Sequence, residues 1–438
     1  MLVEFRVKNF RSFRDEQVLS LVASSDATLE DNCVNQDKLR LLKAVGIYGP
    51  NASGKSNLIK AIDLMRDIVL KSANYEPGKK LPVQPFLLDD ESSKEPSSFE
   101  VTFYHEDTRF QYGFSATKER IQEEWLLAYP KGRTRDNAQT WFHRSINKET
   151  FIWKFGSFLK GERESLKDKT RDNALFLSVS AQWNNKQLTT VYNWFTDKLR
   201  IIPAKDKVLY FRPVTAELLY SAEKSENIKK IFYEFVISTL HHADLGIHGV
   251  NVEKVKIDKN KIKFIEEIPN EIQEKLLKHL EKTPPLKVEM FHLNPHTNTD
   301  VSFLLEEESD GTQRFFQLLG PWLEAVSKGY TVFIDELEAS LHPLLTRELI
   351  KFIQDPANNK TGAQLVFATH DVTLLDPELF RRDQIWFTEK ERGGDTKLYS
   401  MSDYKERKPR KGEAMQKGYL AGRYGAIPIL EAFSIPHG

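Results

Sequence analysis

Residues Leu2-Val3-Glu4-Phe5-Arg6-Val7 alternate between apolar and polar, the two-residue period of a half-buried strand. Asn9 to Phe13 makes a turn, and Gln17 to Ala23 reads as the returning strand. Leu42 to Tyr48 is a further strand. From Ser56 to Leu70 the period becomes helical. Its apolar set, Leu58, Ile59, Ala61, Ile62, Leu64, Met65, Ile68 and Val69, runs nearly all round, so the helix should be covered on two sides. Residues 72–98 are rich in Pro, Ser, Asp and Lys and read as surface loop. Phe99–Phe103, Phe110–Ser115, Ile121–Tyr129, Thr140–Arg144 and Phe151–Phe155 alternate with turn residues between them, which predicts an antiparallel meander.

From about 158 to 200 the pattern is helical, and another helix runs from about 223 to 241. Val250–Ile268 predicts a hairpin bent at Asp258-Lys259-Asn260, and Asn270–Glu281 a charged helix. Strands return over Leu286–Leu305, followed by a helix from about Thr312 to Ser327. Tyr330–Ile334, Gln364–Ala368 and Gln384–Thr388 are continuous apolar runs, as buried parallel strands require, and a helix spans about Leu344–Gln354. No internal repeat or low-complexity tract interrupts this order.

One stretch turns pattern into chemistry. Gly49-Pro50-Asn51-Ala52-Ser53-Gly54-Lys55-Ser56 fits G-x-x-x-x-G-K-[ST]. Its glycines let the backbone turn its N–H groups onto phosphate oxygens. Lys55 would reach the β- and γ-phosphates, and the Ser56 hydroxyl would ligand Mg²⁺. A Gly/Ser loop can match this pattern by chance, but here a strand precedes it and a helix follows, whose N-terminus favours anions. Far downstream, Thr331-Val332-Phe333-Ile334-Asp335-Glu336 is an apolar strand ending in two carboxylates, at the strand end where open α/β sheets bind ligands. Asp335 would hold Mg²⁺ and Glu336 would polarise the attacking water. An acidic cap after a strand would look the same without the phosphate loop. If both line one site, the segment between them is an insertion that leaves the nucleotide core and returns.

Two further signals share this order. In Glu307-Glu308-Ser309-Asp310-Gly311-Thr312-Gln313, Ser309 can cap the next helix and Gly311 leaves a backbone N–H approachable, which makes a second anion site. After the Asp-Glu pair comes Leu337-Glu338-Ala339-Ser340-Leu341-His342-Pro343, and after the next strand Ala368-Thr369-His370-Asp371. A histidine there can hydrogen-bond a γ-phosphate.

Composition narrows the setting. At 438 residues the chain should hold two or three domains, and 40% hydrophobic with 29% charged residues is enough for a large core. Formal net charge is zero, so any nucleic-acid contact must come from a local patch. The single cysteine, Cys33, excludes an intrachain disulfide framework and fits a reducing compartment. There is no apolar run of membrane-spanning length and no signal-peptide form at the N-terminus, so a cytoplasmic location is expected.

The motifs in this order resemble the ATPase head of ABC-type proteins. The start Val7-Lys8-Asn9-Phe10-Arg11-Ser12-Phe13 and the loop core Pro50-Asn51-Ala52-Ser53 resemble the SMC, RecF and OLD branch rather than membrane transporters. They are most similar to prokaryotic AAA-type ATP-binding proteins of RloA and abortive-infection kind, encoded in phage-defence loci. The tail Lys417-Gly418-Tyr419-Leu420-Ala421-Gly422-Arg423-Tyr424-Gly425-Ala426-Ile427-Pro428 resembles theirs too. This resemblance implies an α/β fold: a P-loop ATPase head with a mixed parallel core sheet and an antiparallel β-subdomain. It carries an inserted, mainly helical lid or arm. The implied division is 1–130 for the N-terminal lobe, 131–300 for the insertion, 301–400 for the C-terminal lobe and 401–438 for a basic tail. No sustained heptads appear, so the long SMC coiled coil is not expected.

By matching position, the resemblance implies that Gly49, Asn51, Ala52, Ser53, Gly54, Lys55, Ser56 and Asn57 surround ATP. Ser56 and Asp335 hold Mg²⁺. Glu336 is the catalytic carboxylate and His370 the switch histidine. Ser309 and Gly311 would contact the γ-phosphate of a second copy's ATP, with Ser340 in the loop facing that copy. Arg11 resembles an arginine that approaches the nucleotide, and Gln84 stands where a metal-contacting glutamine would, although Pro82 and Pro85 leave its register open. Asp310 replaces a glycine of the transporters' Leu-Ser-Gly-Gly-Gln. The expected function is an ATPase, slow in turnover, that dimerises around ATP and switches a separate effector such as a TOPRIM-like or RloB-like nuclease. A RecF-like repair ATPase acting on DNA, or a non-hydrolysing scaffold, are the competing readings. Lys405, Arg407, Lys408, Arg410 and Lys411 read as a solvated linker or as a contact for nucleic acid or an acidic partner. His241, His242, His248, His292 and His296 match no metal-site spacing and read as surface or core histidines.

Overall fold

The computed structural model describes residues 1–131, 138–202, 213–222, 226–255, 273, 284–404 and 415–428. The chain divides into two compact units. The first comprises Met1–Leu209, Glu324–Glu338 and Thr346–Gly438, the second Tyr210–Leu323 and Ala339–Leu345.

Two sheets build the first unit. The antiparallel one contains β1 (Leu2–Lys8), β2 (Gln17–Ser20), β6 (Ser97–His105), β7 (Thr108–Ala116), β8 (Ile121–Pro130), β9 (Gln139–Asn147) and β10 (Thr150–Phe155), in the order β10-β9-β8-β7-β6-β1-β2. The predicted meander is present strand for strand. It continues through β9 and β10, across the 130/131 boundary drawn from the sequence. A separate ribbon pairs β3 (Cys33–Gln36) with β4 (Leu39–Leu42).

The second sheet places the chemistry. Its strands are β5 (Ala44–Tyr48), β11 (Leu199–Ile202), β15 (Thr331–Ile334), β16 (Gln364–Ala368), β17 (Ile385–Lys390) and β18 (Thr396–Ser400), in the order β11-β15-β16-β5-β17-β18. All neighbours are parallel except β17 and β18. Every residue of β5, β15 and β16 is buried, which is why these segments read as unbroken apolar runs. Helix α1 (Lys55–Lys71) leaves the C-terminal side of β5. Leu58, Ile59, Ala61, Ile62, Met65, Ile68 and Val69 are all buried, in one core with Val45 and Ile47 of β5 and Phe99, Val101 and Phe103 of β6. The helix is therefore covered on two sides, as its pattern requires.

The stretch read as helical from 158 to 200 contains α2 (Glu164–Asp168), α3 (Phe176–Gln182) and α4 (Lys186–Asn193). It then ends in β11, an edge strand not foreseen. Four residues are too short to show a period of their own after a helix. Glu124 clamps this region to the meander: its wholly buried carboxylate accepts the N–H groups of Phe176 and Leu177 at 2.8 and 3.0 Å and pairs with buried Arg144.

In the second unit, β12 (Ile247–Lys254), β13 (Leu286–Leu293) and β14 (Asp300–Leu304) form an antiparallel sheet beside α5 (Val214–Ala222) and α6 (Glu226–His242). The partner of β12 is β13. The predicted bend at Asp258–Asn260 and its return strand lie outside the described residues, as does the charged helix at 270–281 except for Gln273. Helix α7 (Asp310–Lys328) contains Pro321. A proline there leaves the Gln317 carbonyl without its helical donor. The Thr215 hydroxyl supplies one, 3.2 Å from that carbonyl and 2.8 Å from that of Phe316. Helix α8 (Pro343–Gln354) follows β15, and a short helix α9 (Met415–Leu420) lies near the end of the chain. Among the described residues no helix is long and apolar enough to cross a membrane.

Candidate active site

Three adjacent strands of the parallel sheet, β15, β16 and β5, deliver Asp335, His370 and the Gly49–Ser56 loop from their C-terminal ends, the edge at which such sheets bind ligands. The loop has left-handed backbone at Gly49 (φ 151°), Ala52 (φ 62°) and Gly54 (φ 118°). Gly54 is required twice over. Its φ suits glycine, and a Cβ there would fall 2.5 Å from the Thr396 hydroxyl.

Lys55 is buried, its Nζ donating to the carbonyls of Gly49 at 2.6 Å and Pro50 at 3.0 Å. Burial lowers its ammonium to about 8, against the carboxylates of Asp335, Glu338 and Glu336, which raise it. The Ser56 hydroxyl donates to Asp335 Oδ1 at 3.2 Å, joining positions 56 and 335 in one place. Glu336 follows with left-handed backbone (φ 54°) and an exposed side chain. A non-glycine residue held there costs roughly 1–3 kcal/mol, and such positions cluster at functional sites. The His370 N–H donates to Glu338 Oε1 at 2.6 Å. Partial burial, and then the charge of Lys55, keep the His370 imidazole below its ordinary value, so it is neutral near pH 7.

The N-terminal turn is also tied to this loop. Arg11 adopts a left-handed conformation (φ 52°), and its Nε is buried with no hydrogen-bond partner among the described residues. Asn57 donates to Ser12 Oγ at 2.9 Å, and Thr396 donates to the Ser53 carbonyl at 2.7 Å, its Oγ1 also lying 2.8 Å from Ser12 Oγ. Ser53 Oγ is 2.6 Å from Thr388 Oγ1. Asn51 and Ala52 are exposed. Gln84 is brought near by its backbone: its carbonyl accepts the Arg11 N–H at 2.7 Å, while its side chain is exposed.

The remaining sequence candidates lie in the second unit. Ser309 Oγ accepts the Thr312 N–H at 3.1 Å at the head of α7. A Cβ on Gly311 would fall 2.7 Å from the Ser340 carbonyl, so these two loops approach as closely as glycine allows. Ser340 is left-handed (φ 63°). His248 and His292 pair with Asp300 at 2.9 Å and Glu308 at 2.7 Å. Among the described residues no group of His, Cys, Asp or Glu could hold a metal by itself. The basic cluster at 405–411 lies outside the described residues.

Fit to ATP and Mg²⁺ follows from these contacts. The loop offers a buried cation satisfied only by carbonyls, and the N-terminal turn tied to it through Ser12 carries an orphaned arginine Nε. Ser56 and Asp335 supply two oxygens, and Mg²⁺ is commonly held by one or two protein ligands plus phosphates and water. Ser12, Glu338, Thr388 and Thr396 were missed from the sequence. Ser12 and Glu338 lie inside stretches already singled out, whereas nothing local marks the two threonines.

A phosphate loop after one parallel strand, its serine joined to an aspartate two strands away, and a histidine loop between them define a P-loop ATPase head of ABC/SMC type. The chain belongs to the family described as "AAA domain, putative AbiEii toxin, Type IV TA system", which it matches over residues 44–376. No curated protein matches it. Among solved structures it is similar to an SMC head bound to the C-winged helix domain of ScpA, with 13% identity, 91% of this chain and 97% of that chain covered, and a TM-score of 0.41. An SMC head domain from Thermotoga maritima gives 12% identity, 91% and 98% coverage, and a TM-score of 0.36. A dimeric post-hydrolysis ATP-binding cassette bound to ADP and Pi gives 10%, 91% and 98%, and 0.31.

The depressed Lys55 gives a pH expectation. Phosphate stabilises the charged ammonium, so binding ATP raises its pKa above the free value of about 8. Below pH 8 the cation is already present and affinity is flat on this account. Above it, binding must take up a proton, and affinity falls by up to tenfold per pH unit. Calorimetry from pH 7 to 9.5, in buffers of different ionisation enthalpy, reads both effects. Unchanged affinity with no proton uptake would contradict the placement of Lys55.

Proposed function

We propose that this chain binds MgATP, pairs with a second copy around two nucleotides, and hydrolyses ATP slowly to switch a separate effector in anti-phage defence. The observation that carries the reading is the Ser56–Asp335 hydrogen bond, with Glu336 held left-handed just beyond it. Lys55 turns from the Gly49 and Pro50 carbonyls to the phosphates. Ser56 and Asp335 hold Mg²⁺, which neutralises phosphate charge when bound. Glu336 orients water in line with the γ-phosphate, and neutral His370 hydrogen-bonds that phosphate. Catalysis of this kind is mainly positioning and charge stabilisation.

Ser309 and Gly311 have no role in this list unless a second copy brings its phosphate to them, which is how a two-fold interface completes a site. Ser340 lies in the loop read as facing that copy. The matched family's description, "AAA domain, putative AbiEii toxin, Type IV TA system", supports a place in abortive infection. The effector chemistry is assigned, as part of this reading, to another cytoplasmic chain of TOPRIM-like or RloB-like nuclease kind. The inserted segment serves as a lid or arm.

Ser309→Arg tests the shared site. The variant is expected to bind ATP as an isolated chain with unchanged affinity and to lose hydrolysis and nucleotide-dependent dimerisation. Calorimetry, phosphate release and light scattering measure the three. Normal hydrolysis by Ser309→Arg would rule out the composite site.

A further inference from the structure

The loop that carries His370 is held at its root by a residue outside the roles given so far. Glu338 Oε1 accepts the His370 N–H at 2.6 Å, just past the end of β16. The other carboxylate oxygen, Oε2, is buried and has no hydrogen-bond partner among the described residues. Two more polar atoms share that condition: the hydroxyl of Tyr48, the last residue of β5, and Oδ2 of Asp371, the residue after His370. Tyr48 is 1% exposed. Burial above all, and then the charges of Asp371 and Glu338, raise its phenol well above the ordinary value, which puts these groups in one neighbourhood. Burial lowers Lys55 and His370, and the charge of Glu338 is among those that oppose it at both.

Buried polar atoms are rarely left without partners. Three of them around one loop root mark a place built for more than one arrangement. We propose that Glu338 is the positioning residue for His370: its carboxylate grips the first peptide of the loop and sets where the imidazole meets the nucleotide. The grip is an acceptor's work. A free second oxygen lets the same carboxylate receive the amide after a small shift of the loop, so His370 can advance on a phosphate without losing its anchor. This inference rests on the reading of His370 as the residue that meets the γ-phosphate.

Glu338→Gln keeps an oxygen that accepts the amide, and Glu338→Ala removes it. Hydrogen exchange by mass spectrometry, on a peptide spanning residues 366–374 of the full chain, reads the grip directly. Exchange at the His370 amide is expected to rise at least about tenfold in Glu338→Ala and to stay within about threefold in Glu338→Gln. In steady-state hydrolysis Glu338→Ala should lose roughly 10–100-fold in kcat, the usual cost of losing a group that orients a contacting residue, with KM changed by less than about threefold. Glu338→Gln should stay within about fivefold of wild type. Wild-type exchange in Glu338→Ala, or equal impairment of both variants, would overturn the proposal. If Glu338→Ala does not fold, Glu338→Met keeps the volume without the acceptor and takes its place. Wild-type protein without ATPase activity would sink the proposed function, and the exchange measurement would still decide the role of Glu338.

Discussion

Lys55→Ala is expected to lose nearly all affinity for ATP while remaining folded. Its Nζ now satisfies itself on the Gly49 and Pro50 carbonyls, and it sits in a buried position that already penalises its charge. Truncation therefore removes a desolvated cation, and the fold should tolerate that. What disappears is one or two charge-assisted hydrogen bonds to phosphate, worth about 1.5–3 kcal/mol each. The combined loss of about 1.5–6 kcal/mol corresponds to roughly 10–10⁴-fold in affinity. Calorimetry on both proteins, with thermal melts as a folding control, measures it. Equal ATP affinity in a folded Lys55→Ala would remove the Gly49–Ser56 loop from the phosphate-binding role.

Glu336→Gln is expected to separate binding from chemistry. The residue keeps its shape and its left-handed backbone, and the neighbouring Asp335 keeps its bond to Ser56. The variant should bind ATP normally. Loss of the carboxylate's charge should slow hydrolysis by ~10²–10⁴-fold, or about 3–5 kcal/mol of barrier. The protein should accumulate ATP-bound and paired, holding any effector in one state. Phosphate release and assembly size, measured under the same MgATP, provide the check. Identical turnover in wild type and variant would take Glu336 out of the catalytic role and favour the scaffold reading.

What could be read from the chain in advance follows from how local each signal is. The Gly49–Ser56 loop is a contiguous pattern with its strand and helix attached, and Thr331–Glu336 is an apolar strand with carboxylates at its end. Both stood out without any fold in hand. The meander was legible because burial alternates along much of its length, as in β6 and β8, which imposes a two-residue period there. β11 was not, since Leu199–Ile202 is a short edge strand that continues the apolar pattern of the helix before it. Thr388 and Thr396 were invisible for another reason. Their roles are contacts with Ser53 and Ser12, made by strands far away in sequence, and an isolated threonine carries no sign of that. Gln84 shows the same limit in reverse. Its position was noticed, but the contact that brings it near Arg11 is made by its carbonyl, which every residue has.

β5 lies between β16 and β17, and Thr396 bonds to Ser12 across 384 residues of chain. During synthesis the phosphate loop is therefore made well before the strands that shape it. At about 5–20 residues per second, roughly 20–70 s separate the loop from Thr396. For that interval the nascent chain carries the full Gly49–Ser56 sequence without the strands that flank it in the sheet. On this account nucleotide is not expected to assist its early folding, nor a product cut short before β16 to bind it. A ribosome-bound chain stalled at successive lengths should begin to retain ATP only once residues near 400 have left the exit tunnel. A cell would then meet a nucleotide-competent form of this protein only after β5 has gained its neighbours on both sides.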